Sequence, residues 1–281
     1  MPELAEVAWF ARQWEPGRGS RVSAVYCRPA ARVFRTTDAA ALRRGLTGRR
    51  LTGIRTHGKQ MLFEFEDAFL GVHLGMTGEL LVAAEKHPPG RHDHLVLRQS
   101  GRSLVFRDPR MFGCVRFEAG PHEPAWWTAF PPSILSEAFT RQLLESAARR
   151  RRGSPLKAFL LDQDIFPGIG NWMADEILWR CRLAPATKAG SLKDNEIITL
   201  RRETRRLCRQ ALKLIGQSWE DPPNTWLFPH RWKDGGRCPR DGAPLQRAEI
   251  GGRTTAWCPR CQSPGLQSAR KPSASAADRR R

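Results

Sequence analysis

The hydrophobic repeat of this chain changes character along its length, and no other feature restricts the fold as strongly. Leu4, Val7, Phe10, Ala11 and Trp14 recur at helical spacing, and Pro16-Gly17 stops that run. From Arg21 to Glu118 the pattern becomes short β-rich stretches: 22–27, 51–56, 61–66, 69–74, 80–83, 94–98, 103–107 and 114–117. Turn residues punctuate several of them, as at Ser100-Gly101. Many short strands at regular spacing predict a β-sandwich or barrel.

The helical repeat returns between Pro132 and Gly216. One segment covers 137–150. Ser154 caps the next, with Pro155 in its first turn, and a third covers 170–180. Ser191 and Asp194 resemble a capping box ahead of Ile197, Leu200, Leu207, Ala211 and Leu214, and Gly216 is expected to end that helix. Residues 217–232 read as a Pro- and Trp-rich loop, and 235–264 as a small cysteine module. Beyond Gly265, Ser, Ala and Arg dominate, the composition of a disordered basic tail. The expectation is an α+β multidomain chain with an N-terminal β-sandwich and its own N-terminal helix over 1–131. A helical domain with a loop follows over 132–232, then a zinc-ribbon-like finger over 233–264 and a tail over 265–281.

Charge narrows the partner. Lys and Arg number 47 against 28 Asp and Glu, a net charge of +19, in a chain of 281 residues that is 40% hydrophobic. Such an excess points to a polyanion, most often nucleic acid; a ribosome-associated or membrane-surface protein is the plainer alternative. Residues 1–14 have neither the basic start nor the apolar run of a signal peptide. No stretch approaches the length of a membrane span. A soluble cytoplasmic protein without a membrane partner is expected. The seven cysteines are odd in number, and Cys27, Cys114, Cys181 and Cys208 are scattered, which does not make a disulfide framework.

Chemistry concentrates at four places. Pro2 is a small second residue, so removal of Met1 would expose a secondary amine. An α-amino group titrates near ~8, below lysine at ~10.4, and the start of a helix lowers it further. Its neutral form can attack a sugar C1′ and form a Schiff base, with Glu3 beside it as proton donor or acceptor. Pro and Glu are equally ordinary at a helix start. Cys238-x2-Asp241 precedes Cys258-x2-Cys261, two knuckles around a hairpin that turns at Gly251-Gly252. This is the layout of a structural zinc ribbon in which Asp241 stands where a fourth cysteine is expected. A metal-free finger is the other reading. Gly168-Ile169-Gly170-Asn171 opens a helix and suits close approach to a phosphate, or is a plain helix corner. The stretches 73–78 and 108–113 read as loops carrying Met76, Arg110 and Phe112, two apolar wedges and a hydrogen-bond fork, unless Met76 and Phe112 are core residues.

Together these pieces resemble the formamidopyrimidine-DNA glycosylase and endonuclease VIII family, from Pro2 to Gln262. The shared motifs are Pro2-Glu3-Leu4-Ala5-Glu6-Val7, His57-Gly58-Lys59, the two loops, Leu160-Leu161-Asp162-Gln163, Gly168-Ile169-Gly170-Asn171 and the cysteine module. The resemblance implies an N-terminal β-sandwich, a helix–two-turn–helix domain and a zinc finger. It implies an enzyme that removes an oxidised base and then cleaves the strand by β,δ-elimination. Pro2 would be the Schiff-base nucleophile, Glu3 its proton donor, and Lys59 the proton donor for elimination. Arg253 would act in δ-elimination and grip phosphate with Asn171. Met76, Arg110 and Phe112 would fill the gap left by the extruded nucleotide, and His92 and Lys157 would face DNA. Cys238, Asp241, Cys258 and Cys261 would hold one zinc ion. The separate wedge loops favour the formamidopyrimidine branch, hence oxidised purines, over the oxidised pyrimidines of the endonuclease VIII branch. The implied partner is double-stranded DNA carrying oxidised bases or abasic sites, bound by a monomer in the cytoplasm at the nucleoid. Ala5 departs from the more usual proline. Pro2, Glu3 and Lys59 together argue against a non-catalytic DNA-binding protein, and an RNA-binding zinc ribbon would not explain Pro2 or the wedges.

Overall fold

The structure, a computed structural model, describes residues 1–263; the expected basic tail over 265–281 lies outside the described residues. Helix α1 (Leu4–Arg12) leads into strands β1 (Val22–Cys27), β2 (Leu51–His57), β3 (Gln60–Phe65), β4 (Ala68–His73), β5 (Glu79–Ala83), β6 (Asp93–Gln99), β7 (Arg102–Arg107) and β8 (Cys114–Ala119), with helix α2 (Ala39–Leu46) between β1 and β2. Two antiparallel four-stranded sheets form, in the orders β1-β6-β7-β5 and β2-β3-β4-β8. They face one another over a core that includes Phe63, Leu70, Leu97, Leu104 and Phe106. Every expected strand forms within two residues of its predicted bounds. Helix α2 is absent from the sequence reading because only Leu42 and Leu46 mark its buried face, too few to reveal a period.

The helical half holds α3 (Ala125–Thr128), α4 (Arg141–Arg150), α5 (Leu156–Leu161), α6 (Asn171–Cys181) and α7 (Asp194–Ser218). Local chemistry moves several expected boundaries. The segment expected from 137 starts at Arg141, where the Thr140 hydroxyl accepts the Leu143 N–H at 3.1 Å. Pro155, not Ser154, occupies the cap position of α5, and no side chain caps that helix. Ser191 lies in a short 3-10 turn, and α7 is opened by Glu196, whose carboxylate accepts the Lys193 N–H at 2.7 Å. Helix α7 also runs past Gly216 to Ser218. The left-handed residue is Trp219 (φ 53°), whose ring lies 5.4 Å from Trp9 and 5.6 Å from Phe10. Aromatic packing holds there a conformation that usually selects glycine.

Two cores meet at α1. Val7, Ala11 and Trp14 belong to the sandwich core, whereas Ala5 belongs to the helical core. The N-terminus of α1 is therefore fixed at the seam between the two halves. Helix α6 is buried on all sides and joins the helical core to the third unit, the hairpin β9 (Gln246–Ile250) and β10 (Arg253–Trp257). Gly251 and Gly252, at φ 63° and 73°, make its two-residue turn. Trp179 of α6 packs with Leu227, Ala243 and three cysteines to form the core of this finger. No helix among the described residues is long and apolar enough to cross a membrane.

Candidate active site at the domain seam

Glu3 is 3% exposed, and its carboxylate meets the first turn of α6. Oε2 accepts the N–H groups of Gly170 at 3.0 Å and Met173 at 3.1 Å, and Oε1 accepts that of Trp172 at 2.9 Å. Gly170 is needed here because a Cβ would overlap the Glu3 carboxyl carbon. Leu4 N–H donates to Gly168 O at 3.0 Å, so the start of α1 is tied to the same loop. Burial, and after it the neighbouring Glu6 carboxylate, push the Glu3 pKa up to about 7, against the pull of its backbone donors and Lys59. Glu3 is thus a buried acid poised to exchange a proton near neutrality. Pro2 adjoins it, half-buried.

Lys59 follows the β2–β3 turn, where Gly58 (φ 57°) lies so close to Gly168 N that a Cβ would sit 2.9 Å away. Lys59 Nζ donates to Ile169 O at 2.9 Å. Burial lowers its pKa, helped by the Arg253 charge and opposed by Glu3 and Glu6. Arg253 is exposed at the tip of the finger hairpin, and a Cβ on the adjacent Gly251 would lie 2.7 Å from Ala158 of α5. Asn171 opens α6, its side-chain oxygen buried without a partner among the described residues. The fold thus brings Pro2, Glu3, Lys59, Asn171 and the charge of Arg253 to one seam, with donors from all three units.

The wedge residues occupy a second cluster. A Cβ on Gly75 (φ 65°) would stand 2.5 Å from the Phe112 carbonyl carbon, so the loops 73–78 and 108–113 touch. Thr77 Oγ1 donates to Asp108 Oδ1 at 2.8 Å, and Asp108 Oδ2 accepts the Gly113 N–H at 2.7 Å. Held by this buried carboxylate, Met76 and Phe112 remain 39% and 42% exposed, and Arg110 lies 4.7 Å from the Phe112 ring centre. They are not core residues. His92 is half-buried, and its carbonyl accepts the Asp108 N–H at 3.0 Å, which places it at the base of this cluster.

Lys157 does not reach the surface. Its side chain is fully buried, with Nζ donating to Asp175 Oδ1 at 2.5 Å and to Asn171 O at 2.7 Å. Asp175 Oδ2 also accepts Arg231 Nη2 at 2.6 Å and the Ala256 N–H at 3.0 Å. The expected DNA contact is instead part of an ionic hub joining α5, α6, the loop and the finger. Two of the three ammonium donors are spent on protein oxygens, and the carboxylate supplies the counter-charge that burial requires.

Sequence reasoning missed His73, Glu6 and Gln163. His73 lines, with His57, Lys59, Gln60, Gln163 and Gly168, a cavity of about 140 Å³. Burial and the charges of Lys59, Arg35 and Arg116 push its pKa down to about 4. Glu6 accepts the Glu3 N–H at 3.1 Å and the Trp172 indole N–H at 2.9 Å. Gln163 holds the glycine loop: Oε1 accepts Gly168 N–H and Nε2 donates to Ile169 O. His73 and Gln163 lay inside quoted motifs, but nothing in their spacing assigned them a task.

In the finger, Cys238, Asp241, Cys258 and Cys261 place their ligand atoms within 4.8 Å of one another. Zn–S and Zn–O bonds of about 2.3 and 2.0 Å in tetrahedral geometry require edges of roughly 3.8 Å between sulfurs and 3.5 Å between sulfur and oxygen. Cys238 Sγ and Cys261 Sγ are 3.8 Å apart, and Cys258 Sγ is 3.5 Å from both Asp241 oxygens. The donor set fits one structural zinc ion, which when bound would clamp the two knuckles that carry the hairpin.

A buried acid at a helix N-terminus, a basic seam and two exposed wedges on a sandwich, helical and finger framework define a DNA glycosylase of base excision repair. Residues 1–115 match the formamidopyrimidine-DNA glycosylase N-terminal domain, 130–222 the H2TH domain of that enzyme, and 235–264 the zinc finger found in FPG and IleRS. The chain belongs to the formamidopyrimidine-DNA glycosylase family. Formamidopyrimidine-DNA glycosylase of Roseiflexus sp. is 35% identical, covering 93% of this chain and 100% of the relative; that of Thermus thermophilus is 37% identical over 94% and 100%. Among solved structures, a Lactococcus lactis enzyme bound to Fapy-dG-containing DNA is 28% identical, with a TM-score of 0.85 over 94% of this chain and 100% of that one.

Proposed function

We propose that this enzyme excises oxidised purines from duplex DNA and cleaves the resulting abasic site through the amine of Pro2 once Met1 is removed. The observation that carries the reading is Glu3, a sequestered carboxyl with a pKa of about 7 beside that amine. The neutral amine attacks C1′ as the bond to the base breaks, the amine N–H proton passes to the departing base, and the Glu3 proton goes to the sugar ring oxygen as the ring opens to an iminium on Pro2. Loss of a C2′ proton then expels the 3′ phosphate, and a second elimination expels the 5′ phosphate. Lys59, with its lowered pKa, serves as the proton donor for elimination, and Asn171 and Arg253 grip the flanking phosphates. The base must first leave the stack, and Met76, Arg110 and Phe112 fill the gap.

Lactococcus lactis relatives are solved with Fapy-dG-containing, oxidised-pyrimidine-containing and abasic-site DNA, so both oxidised base classes belong in the test. We assign 1–131 to catalysis, 132–232 to DNA binding and lesion recognition, and 233–264 to the finger. We further assign it action as a monomer, in the cytoplasm at the nucleoid.

Borohydride trapping on duplexes carrying 8-oxoguanine, an oxidised pyrimidine or an abasic site tests the reading. We expect a covalent adduct that maps to residue 2, forms fastest among the base lesions on 8-oxoguanine, and is strongly reduced in Pro2→Gly. Tight duplex binding without any adduct, in protein shown by mass to lack Met1, would leave only a damaged-DNA-binding role.

A further inference from the structure

We propose that Asp241 protects the finger's zinc from oxidants, because it places the one ligand that peroxide does not oxidise at the one corner solvent reaches. The inference rests on reading the Cys3Asp cluster as a zinc site. Its three sulfurs are enclosed: Cys238, Cys258 and Cys261 are 2%, 0% and 4% exposed, whereas Asp241 is exposed. Cys238 Sγ accepts the Trp179 indole N–H at 3.3 Å, and the Arg240 guanidinium lies 4.0 Å from the Trp179 ring centre. Cys258 Sγ accepts the Cys261 N–H at 3.5 Å. Helix α6 and the finger core thus roof the thiolates and leave the carboxylate outermost.

Oxidation of cysteine follows thiolate character and access. A cysteine at 241 would present an exposed thiolate beside Cys258. Its sulfur would attack hydrogen peroxide, break the O–O bond and release hydroxide, leaving a sulfenic acid. The Cys258 thiolate would then attack that sulfur, forming a disulfide and releasing a second hydroxide. Two thiolates are oxidised to one disulfide, peroxide is reduced to two waters with two solvent protons, and zinc loses two ligands. A carboxylate supports neither step. Cys238 and Cys261 remain close enough to pair, but peroxide must reach them through the roof.

The same residue has an opposite effect on affinity. Carboxylate oxygen is a harder donor than thiolate and holds zinc less tightly than a fourth cysteine. Two stresses should therefore rank the proteins in opposite orders. Zinc is counted in purified full-length protein, and its release is followed with a chromogenic chelator alone and with hydrogen peroxide added. We expect one zinc per chain in both wild type and Asp241→Cys. The variant should lose zinc several-fold more slowly to chelator alone and several-fold faster when peroxide is added. Asp241→Asn should lose zinc to chelator faster than wild type, with no greater acceleration by peroxide. Peroxide release from wild type as fast as from Asp241→Cys, or the same ranking under both stresses, overturns the protective role. Zinc absent from wild type but present in Asp241→Cys overturns the zinc reading itself.

Discussion

Glu3 shows how a single residue trades stability for chemistry. Its folded pKa of about 7 exceeds the ordinary 4.5. Between those values the folded chain keeps a proton that the unfolded chain releases, so stability falls as pH rises through that window. The full effect is roughly 3 kcal/mol for a fully buried group. Urea unfolding of wild type and Glu3→Gln at several pH values should show wild type losing about that much relative to the variant between pH ~4 and ~8. A pH-independent difference would mean that Glu3 keeps its ordinary pKa in the folded chain and is not held protonated near neutrality. Glu3→Gln should also slow base excision by about 10²–10⁴-fold while duplex binding persists. Lys157 makes the complementary point: its motif position suggested DNA, and the fold buries it against Asp175.

At the scale of elements, the site depends on two helix N-termini held against each other. Helix α6 offers three backbone donors to the residue that opens α1, and the glycine loop before α6 allows the approach. Gly170→Ala tests that contact. The added Cβ overlaps the Glu3 carboxyl group and must displace it. We expect a stability loss of about 1–3 kcal/mol from overpacking. Single-turnover excision should fall by roughly 10²-fold, the usual consequence of a misplaced catalytic group. A variant that melts normally and reacts at the wild-type rate would show that Glu3 does not need this seat. The glycines were visible in the sequence as a tight turn; their partner, 167 residues earlier in the chain, was not.

For the whole molecule, Asp175 links parts that the sequence presents separately. Lys157, Arg231 and the Ala256 backbone converge on one carboxylate, which sets the finger hairpin, and with it Arg253, relative to Asn171. Asp175→Asn would leave two buried cations with no counter-charge. Removal of one member of such a group costs roughly 3–5 kcal/mol, a fall in Tm on the order of 10 °C. Affinity for duplex should weaken alike for all sequences, since the groups displaced are those proposed to grip phosphate. Scanning calorimetry and duplex titration check both; an unchanged Tm would remove Asp175 from its role as the hub.

Period and composition were enough to determine the order of sandwich, helices and finger, because strand and helix repeats depend on local backbone geometry. Net charge alone pointed to a polyanion, since Coulomb attraction needs no fold. The cysteine spacing identified the metal knuckles because their ligands are near neighbours in the chain. Motif order pointed to Pro2, Glu3, Lys59, Asn171 and Arg253, but tertiary packing alone decided the surroundings each of them meets. Glu3 becomes an acid near neutrality only when α6 and Glu6 enclose it, Lys157 is buried only where Asp175 reaches it, and Met76 and Phe112 stand exposed together only because Asp108 ties their loops. Burial and charge proximity arise from residues distant in sequence, and no local pattern encodes them.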